Sequence, residues 1–369
     1  MSAAPWDASE RSVIPASEAL LHLTQFDSLI DVRSEAEFAL DHLPGAINCS
    51  VLTDEQRVEV GTMDRQQSSF EARRRGAAYV ARNIAHHMET QFHSKPKNWR
   101  PLVYCWRGGN RSGAMTHILG CVGWQARQLE GGYRTYRRQV VADLATLPTG
   151  YSLCVLCGTT GSGKSRLLQE LRAEGAQVLD LEALAHHRGS VLGGLPAQAQ
   201  PSQKMFETRL WNALRSFDAT RVVYVESESR KIGELRIPDA LLARMRSAQC
   251  VRLEVPLQAR VRLLRDEYEH FERNRDVLNA QLDCLSALHG RQKIAHWKAL
   301  AGASDWDGVV THLLAEHYDP AYLKSIDRNF EHAASAEIVR IESDAIDDFK
   351  VAARTLAART AKATWPVLI

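Results

Sequence analysis

The sequence predicts an α/β fold in two parallel-sheet domains, the second ending in a helical part. Three observations predict it. Short apolar runs alternate with helical patterns through the first 145 residues; a strand, a glycine-rich loop and a helix open a second region at Tyr151; and from Pro256 the pattern is mostly helical to about Leu314. A chain of 369 residues accommodates two domains of ordinary size.

The elements follow in order. "SLIDV" (28–32) reads as a strand ending in an acid, and "EAEFALDHLPGAIN" (35–48) as a helix and a turn at Pro44–Gly45. "RPLVYC" (100–105) reads as a buried strand, and "QARQLEGGYRTYRRQV" (125–140) as a strand, a Gly-Gly turn and a helix. Pro148 and Gly150 punctuate "ATLPTGYS", which separates a domain at 1–145 from one at 151–369. In the second, "YSLCVLC", "AQVLDLE" (176–182) and "RVVYVESES" (221–229) are strands, and "PAQAQPSQK" (196–204) has the composition of a loop.

Apolar residues make up 45% and charged residues 24%, a globular balance with ample core. Net charge is only +2, so a nucleic-acid partner would need a local patch, for which Arg73–Arg75 and Tyr133–Arg138 are candidates; both also read as solvated helix faces. No apolar run reaches 18 residues and the N-terminus lacks an apolar signal core, which predicts neither a membrane span nor secretion. The seven cysteines are scattered and odd in number, as free thiols in a reducing cytoplasm would be.

Two loops carry chemistry. "GTTGSGKS" (158–165) satisfies G-x-x-x-x-G-K-S in full, after a strand and before a helix. Gly158, Gly161 and Gly163 let backbone N–H groups converge on phosphate oxygens, Lys164 adds a point charge, and the Ser165 hydroxyl can hold Mg²⁺. Glu226, Glu228 and Asp180 stand at neighbouring strand ends, either as acids that orient a metal or its water or as plain exposed carboxylates. Cys154 and Cys157 lie inside an apolar strand, where odd spacing puts them on opposite faces as core residues.

The other loop is "YCWRGGNRSG" (104–113). A thiol at a strand end, beneath a loop that rolls into a helix, sits near inward N–H groups, the helix N-terminus and Arg111, all of which favour the thiolate. Cys105 is therefore read as the reactive group, with Arg107 and Arg111 supplying charge and Gly108 and Gly109 allowing close backbone approach. Two chemistries use such a nest. Cys105 to Arg111 has the C-x₅-R spacing of cysteine-dependent phosphatases, although Tyr104 stands where those usually have histidine; the other use is transfer of sulfur or selenium.

"LIDVRSEAEFALDHLPGAIN" and "LEGGYRTYRR" resemble the entry and exit motifs of a rhodanese domain spanning 13–140. A rhodanese domain with "CWRGGNRS", joined to a P-loop domain with "GTTGSGKS", resembles the bacterial tRNA 2-selenouridine synthase family. "HRGSVLGG" (187–194), "QPSQKMFE" (200–207) and "VESESRKIG" (225–233) are similar to that family's second-domain motifs, except that an acid is expected at Ser227.

The resemblance implies replacement of the sulfur of 2-thiouridine, at the tRNA wobble position, by selenium from selenophosphate, through S-geranylation from geranyl diphosphate. It implies that the P-loop holds either that diphosphate or a nucleotide, that Cys105 receives selenium or holds selenophosphate, and that Asp31 and Arg33 brace the cysteine loop. The tRNA anticodon arm is then expected across the domain junction, with Trp106, Arg134, Arg137, Arg138 and the helix Arg260–Arg275 as contacts; four acids make the last equally a salt-bridged face. The competing readings are a rhodanese-type sulfurtransferase or cysteine phosphatase coupled to a nucleotide-binding domain, and a non-catalytic persulfide carrier.

Overall fold

The computed structural model describes residues 12–190, 192–196 and 198–360. The chain divides into two compact units between Asp143 and Leu144, with Glu207–Arg209 grouped with the first.

In the first unit, β1 (Val13–Ile14), β2 (Ser28–Asp31), β3 (Ala46–Asn48), β4 (Pro101–Tyr104) and β5 (Arg127–Leu129) form one parallel sheet in the order β1-β5-β4-β2-β3. Every residue of β4 is buried, as a parallel strand covered on both faces must be. Ser34 and Glu37 form a capping box that starts the helix Glu35–Leu40, and Thr53 and Gln56 form another at Asp54–Gln66. The helix Asn110–Val122 stops at Gly123, whose φ of +99° suits glycine. Ile30, Val32, Val103, Met115, Leu119 and Trp99 close the core beside these helices.

In the second unit, β6 (Leu153–Cys157), β7 (Gln177–Leu179), β8 (Val223–Glu226), the short hairpin β9 (Lys231–Ile232) and β10 (Leu235–Arg236), β11 (Gln249–Glu254) and β12 (Glu337–Arg340) are the strands. All but the hairpin form a parallel sheet in the order β12-β11-β6-β8-β7. Two of its strands, β11 and β12, were not anticipated. β11 mixes Gln249, Arg252 and Glu254 with its apolar residues, and β12 is mostly exposed, so neither shows a clean apolar run. β3 likewise emerges where only a turn was expected. Helices run on past the predicted end near Leu314 to Asn329, and a separate apolar core of Phe271, Leu278, Leu282, Trp297, Val309 and Leu313 holds them together.

In each sheet the strand order reverses around one central strand, β4 or β6. Ligands of open α/β sheets bind in the crevice outside the carboxyl end of such a strand. Cys105 follows β4 directly, and the loop from Gly158 follows β6 directly.

Candidate active site

Cys105 is buried at the foot of its loop, 4% exposed. Its Sγ accepts the Ser112 hydroxyl at 3.1 Å and the Gly109 N–H at 3.3 Å. The Gln128 amide donates to Ser112 Oγ at 3.0 Å and to the Gly108 carbonyl, leaving the serine proton for sulfur. Burial by itself pushes the thiol pKa up. The bonds from Ser112 and Gly109 and the charge of Arg111 outweigh it, and the Cys105 pKa lies below the ordinary thiol value. Cys49, equally buried but without such donors, is pushed up to about 12.

The Gly-Gly turn grips the loop from outside. Tyr133 N–H donates to the Cys105 carbonyl at 2.9 Å and Arg134 N–H to that of Trp106 at 3.0 Å. The backbones meet so closely that a Cβ on Gly108 would stand 2.6 Å from the Leu129 carbonyl oxygen, and one on Gly132 would stand 2.2 Å from that of Cys105. Asp31 and Arg33 form a buried pair, Arg33 Nη2 to Asp31 Oδ2 at 2.5 Å. Arg33 also donates to the Asp41 carbonyl and lies 3.9 Å from the Tyr133 ring centroid. Arg33 thus touches Tyr133, whose N–H holds the Cys105 carbonyl.

The arginines separate by role. Arg111 is tied to Glu37 at 3.1 Å, which fixes its guanidinium beside the loop. Arg107, Arg134 and Arg138 are exposed, and none of their side chains makes a hydrogen bond or ion pair among the described residues. Trp106 is 37% exposed with its ring 5.2 Å from Tyr133, a surface aromatic rather than a core one. Arg137 turns inward: it is 15% exposed and 3.9 Å from Asp41, which takes it off the contact surface.

The stretch Arg260–Arg275 is not one helix. It breaks into Leu257–Glu267, Glu269–Arg273 and a third helix from Arg275. Arg260 is buried and donates to the Thr160 carbonyl at 2.8 and 2.9 Å while pairing with Asp319, so it holds the phosphate loop instead of facing solvent. Arg262, Arg265 and Arg273 pair with Asp344, Glu272 and Glu269. This is the salt-bridged alternative, not a basic stripe.

Around the second loop, Gly161, Gly163, Lys164 and Ser165 line a cavity of about 320 Å³. Gly163 has φ +72°, and a Cβ there would stand 2.5 Å from the Phe349 ring. Gly158 donates its N–H to the Tyr322 hydroxyl at 2.9 Å, and Lys164 Nζ donates to the Gly158 carbonyl at 2.9 Å. Burial disfavours the Lys164 charge, but Tyr322, Glu182 and Glu228 more than offset it and keep the ammonium protonated.

Of the three predicted acids, Asp180 caps the helix Leu181–Ala185 through Ala183 N–H and does not reach the loop. Its place is taken by Glu182, which accepts the Ser165 hydroxyl at 2.9 Å and which sequence reading passed over. Glu226 accepts Glu182 N–H, and burial holds its carboxyl protonated well above the usual range. Burial, with Glu182 adding, pushes Glu228 up to about 8. Ser227, where an acid was expected, shares a 2.6 Å hydrogen bond with the Tyr322 hydroxyl. Cys154 and Cys157 are buried core residues.

Known proteins resemble both units of the chain. A family profile described as the AAA domain of tRNA 2-selenouridine synthase matches residues 151–283, and a rhodanese-like domain profile matches 16–139. A tRNA 2-selenouridine synthase of Alcanivorax borkumensis is 31% identical over 328 residues, covering 80% of this chain and 88% of its own. The chain belongs to the tRNA 2-selenouridine synthase family. The Nitrosomonas europaea synthase is 36% identical over 247 residues, and there the alignment spans 65% of this chain and 63% of that relative's length. The Shewanella loihica synthase is 32% identical over 262 residues, 70% of this chain and 69% of its own.

Within this synthase family frame, Ser112, Gln128, Glu37, Glu182 and Tyr322 are the residues that motif reading missed, and Arg260 holds the phosphate loop where a tRNA contact was expected. Only Ser112, inside the loop itself, carried a local signal. One result follows from the thiol geometry. The rate of iodoacetamide attack on Cys105, read by mass spectrometry of its peptide, should reach half-maximum below the ordinary thiol value of about 8.5. In Ser112→Ala the midpoint should move back up, because the thiolate loses its shortest donor.

Proposed function

We propose that this chain makes 2-selenouridine in tRNA, replacing the wobble 2-thio sulfur by selenium from selenophosphate after S-geranylation from geranyl diphosphate. The observation that carries the selenium step is the Cys105 sulfur, stabilised as a thiolate by Ser112, Gly109 and Arg111. The same nest suits the oxygens of selenophosphate, and exposed Arg107 adds charge at its rim.

The geranyl step is supported in the second unit. The phosphate-loop cavity shares Thr160, Ser190, Leu264, Tyr268 and Tyr318 with a neighbouring apolar cavity of about 70 Å³, walled by Leu192, Phe271, Leu278, Trp306, Val309 and Leu313. A diphosphate on Lys164 with its hydrocarbon chain among these side chains satisfies both halves of the donor; a nucleotide base would find few polar partners there. The thiocarbonyl sulfur attacks the allylic carbon, the carbon–oxygen bond breaks, and diphosphate leaves. Geranylation turns that sulfur into a leaving group: the selenium of selenophosphate attacks C2 of the base, the geranylthiol departs, and hydrolysis of the selenium–phosphorus bond releases phosphate and leaves 2-selenouridine. Mg²⁺ fits the Ser165 hydroxyl with Glu182 behind it. Among the described residues no three His, Cys, Asp or Glu side chains gather as a metal site, so the donor's oxygens would complete its shell. Bound there, it would supply charge to the departing diphosphate.

Purified protein with thiolated tRNA, geranyl diphosphate and selenophosphate should yield selenated nucleoside by mass spectrometry. Aryl phosphate hydrolysis without selenation would favour the phosphatase reading, and stoichiometric persulfide without turnover the carrier. Leu313→Arg, which puts a charge among the apolar walls, should raise KM for geranyl diphosphate by about tenfold or more while leaving inhibition by inorganic diphosphate unchanged.

A further inference from the structure

Among the described residues, Lys164 and Arg188 are the only basic ones lining the phosphate-loop cavity, which also presents Glu182, Glu228 and Glu267. A prenyl diphosphate brings several negative charges into this space, more than one ammonium balances. Arg188 has no role in the reading so far. Its Nη1 is buried and has no hydrogen-bond partner among the described residues, although an arginine presents five donors. Glu267 shares the cavity wall without hydrogen-bonding to it.

Its position is fixed from both ends. The backbone is pinned by Arg188 N–H to the Gly193 carbonyl at 2.9 Å, Ser190 N–H to the Arg188 carbonyl at 2.8 Å, and a bridge between His187 and Gly194. The guanidinium lies 4.7 Å from the Tyr268 ring centroid. Tyr268 lines both the phosphate-loop cavity and the apolar one, and so does Ser190, two residues after the arginine. A donor with its diphosphate on the loop and its chain in the apolar cavity must pass its ester oxygen along this shared wall.

We propose that Arg188 is a catalytic residue of the prenyl transfer, its guanidinium gripping the diphosphate next to the ester oxygen that leaves. This rests on the phosphate loop holding a prenyl diphosphate. When the carbon–oxygen bond breaks, its electron pair goes to that oxygen, and a fixed cation beside it stabilises the charge as it develops. Lys164 anchors the diphosphate from the loop side. The motif "HRGSVLGG" thereby acquires a function: a tight turn that holds one arginine against one tyrosine.

The test compares Arg188→Gln, Arg188→Lys and Lys164→Ala in the full chain. Two readouts are needed: binding of inorganic diphosphate by calorimetry, and single-turnover S-geranylation of thiolated tRNA. Arg188→Gln should weaken diphosphate binding by about tenfold and slow transfer by a further ~100-fold, with Arg188→Lys between it and the parent on both. That order is one a merely structural role would not give, and near-UV circular dichroism checks the fold of each variant. If Arg188→Gln matches the parent in both assays while Lys164→Ala does not, the assignment of Arg188 is overturned and the phosphate-loop reading stands. If Lys164→Ala also matches the parent, the phosphate-loop reading falls as well.

Discussion

Cys105→Ala should lower 2-selenouridine formation by at least about 1000-fold, because the nest loses the thiolate at its centre and no neighbouring group replaces it. The sulfur accepts from the Ser112 hydroxyl and the Gly109 N–H, and both donors remain in the variant, so the loop should keep its shape. S-geranylation should persist, since the attacking sulfur there belongs to the tRNA and the donor's site is built from residues of the other unit. Mass spectrometry of digested tRNA resolves the geranylated and selenated nucleosides in one run. Loss of both products from a folded Cys105→Ala protein would overturn this division of labour. Accumulation of the geranylated nucleoside alone is the expected signature.

Lys164→Ala should have the opposite signature: binding of geranyl diphosphate weakened by about 100-fold, geranylation lost with it, and Cys105 alkylation unchanged. A charge-assisted contact of an ammonium with phosphate contributes about 2–3 kcal/mol, which sets that factor. The effect is sharpened by the surroundings. Glu182 and Glu228 line the same cavity and offer an incoming anion no compensating charge once the ammonium is gone. Calorimetric titration with geranyl diphosphate reads the affinity, and the alkylation rate of Cys105 serves as the internal control. Undiminished donor binding would remove the phosphate loop from the reaction.

Much of both sites was legible without coordinates, because the chemistry of each sits within one short segment. The spacing in "CWRGGNRS" places a thiol under a loop and a helix N-terminus, and "GTTGSGKS" places a lysine beside turning glycines. Backbone geometry turns such spacing directly into position, and the two folded units deliver both loops at the carboxyl ends of central strands. The acid beside Ser165 was less legible. Asp180 and Glu182 are two residues apart, and only the cap that Asp180 makes on Ala183 shows which of them is left to face the hydroxyl.

The sequence alone therefore determined the α/β class, the thiol and the phosphate loop, since those follow from local periodicity and fixed spacing. The tertiary structure decided their surroundings. Gln128 and Glu37 reach the cysteine loop from other strands and helices; Arg260 and Tyr322 clamp the phosphate loop from about 100 and 164 residues away in sequence. The apolar cavity is assembled from segments between Thr160 and Tyr318. Such partners are chosen by how the elements pack, and packing brings together side chains whose separation along the chain carries no trace of their contact.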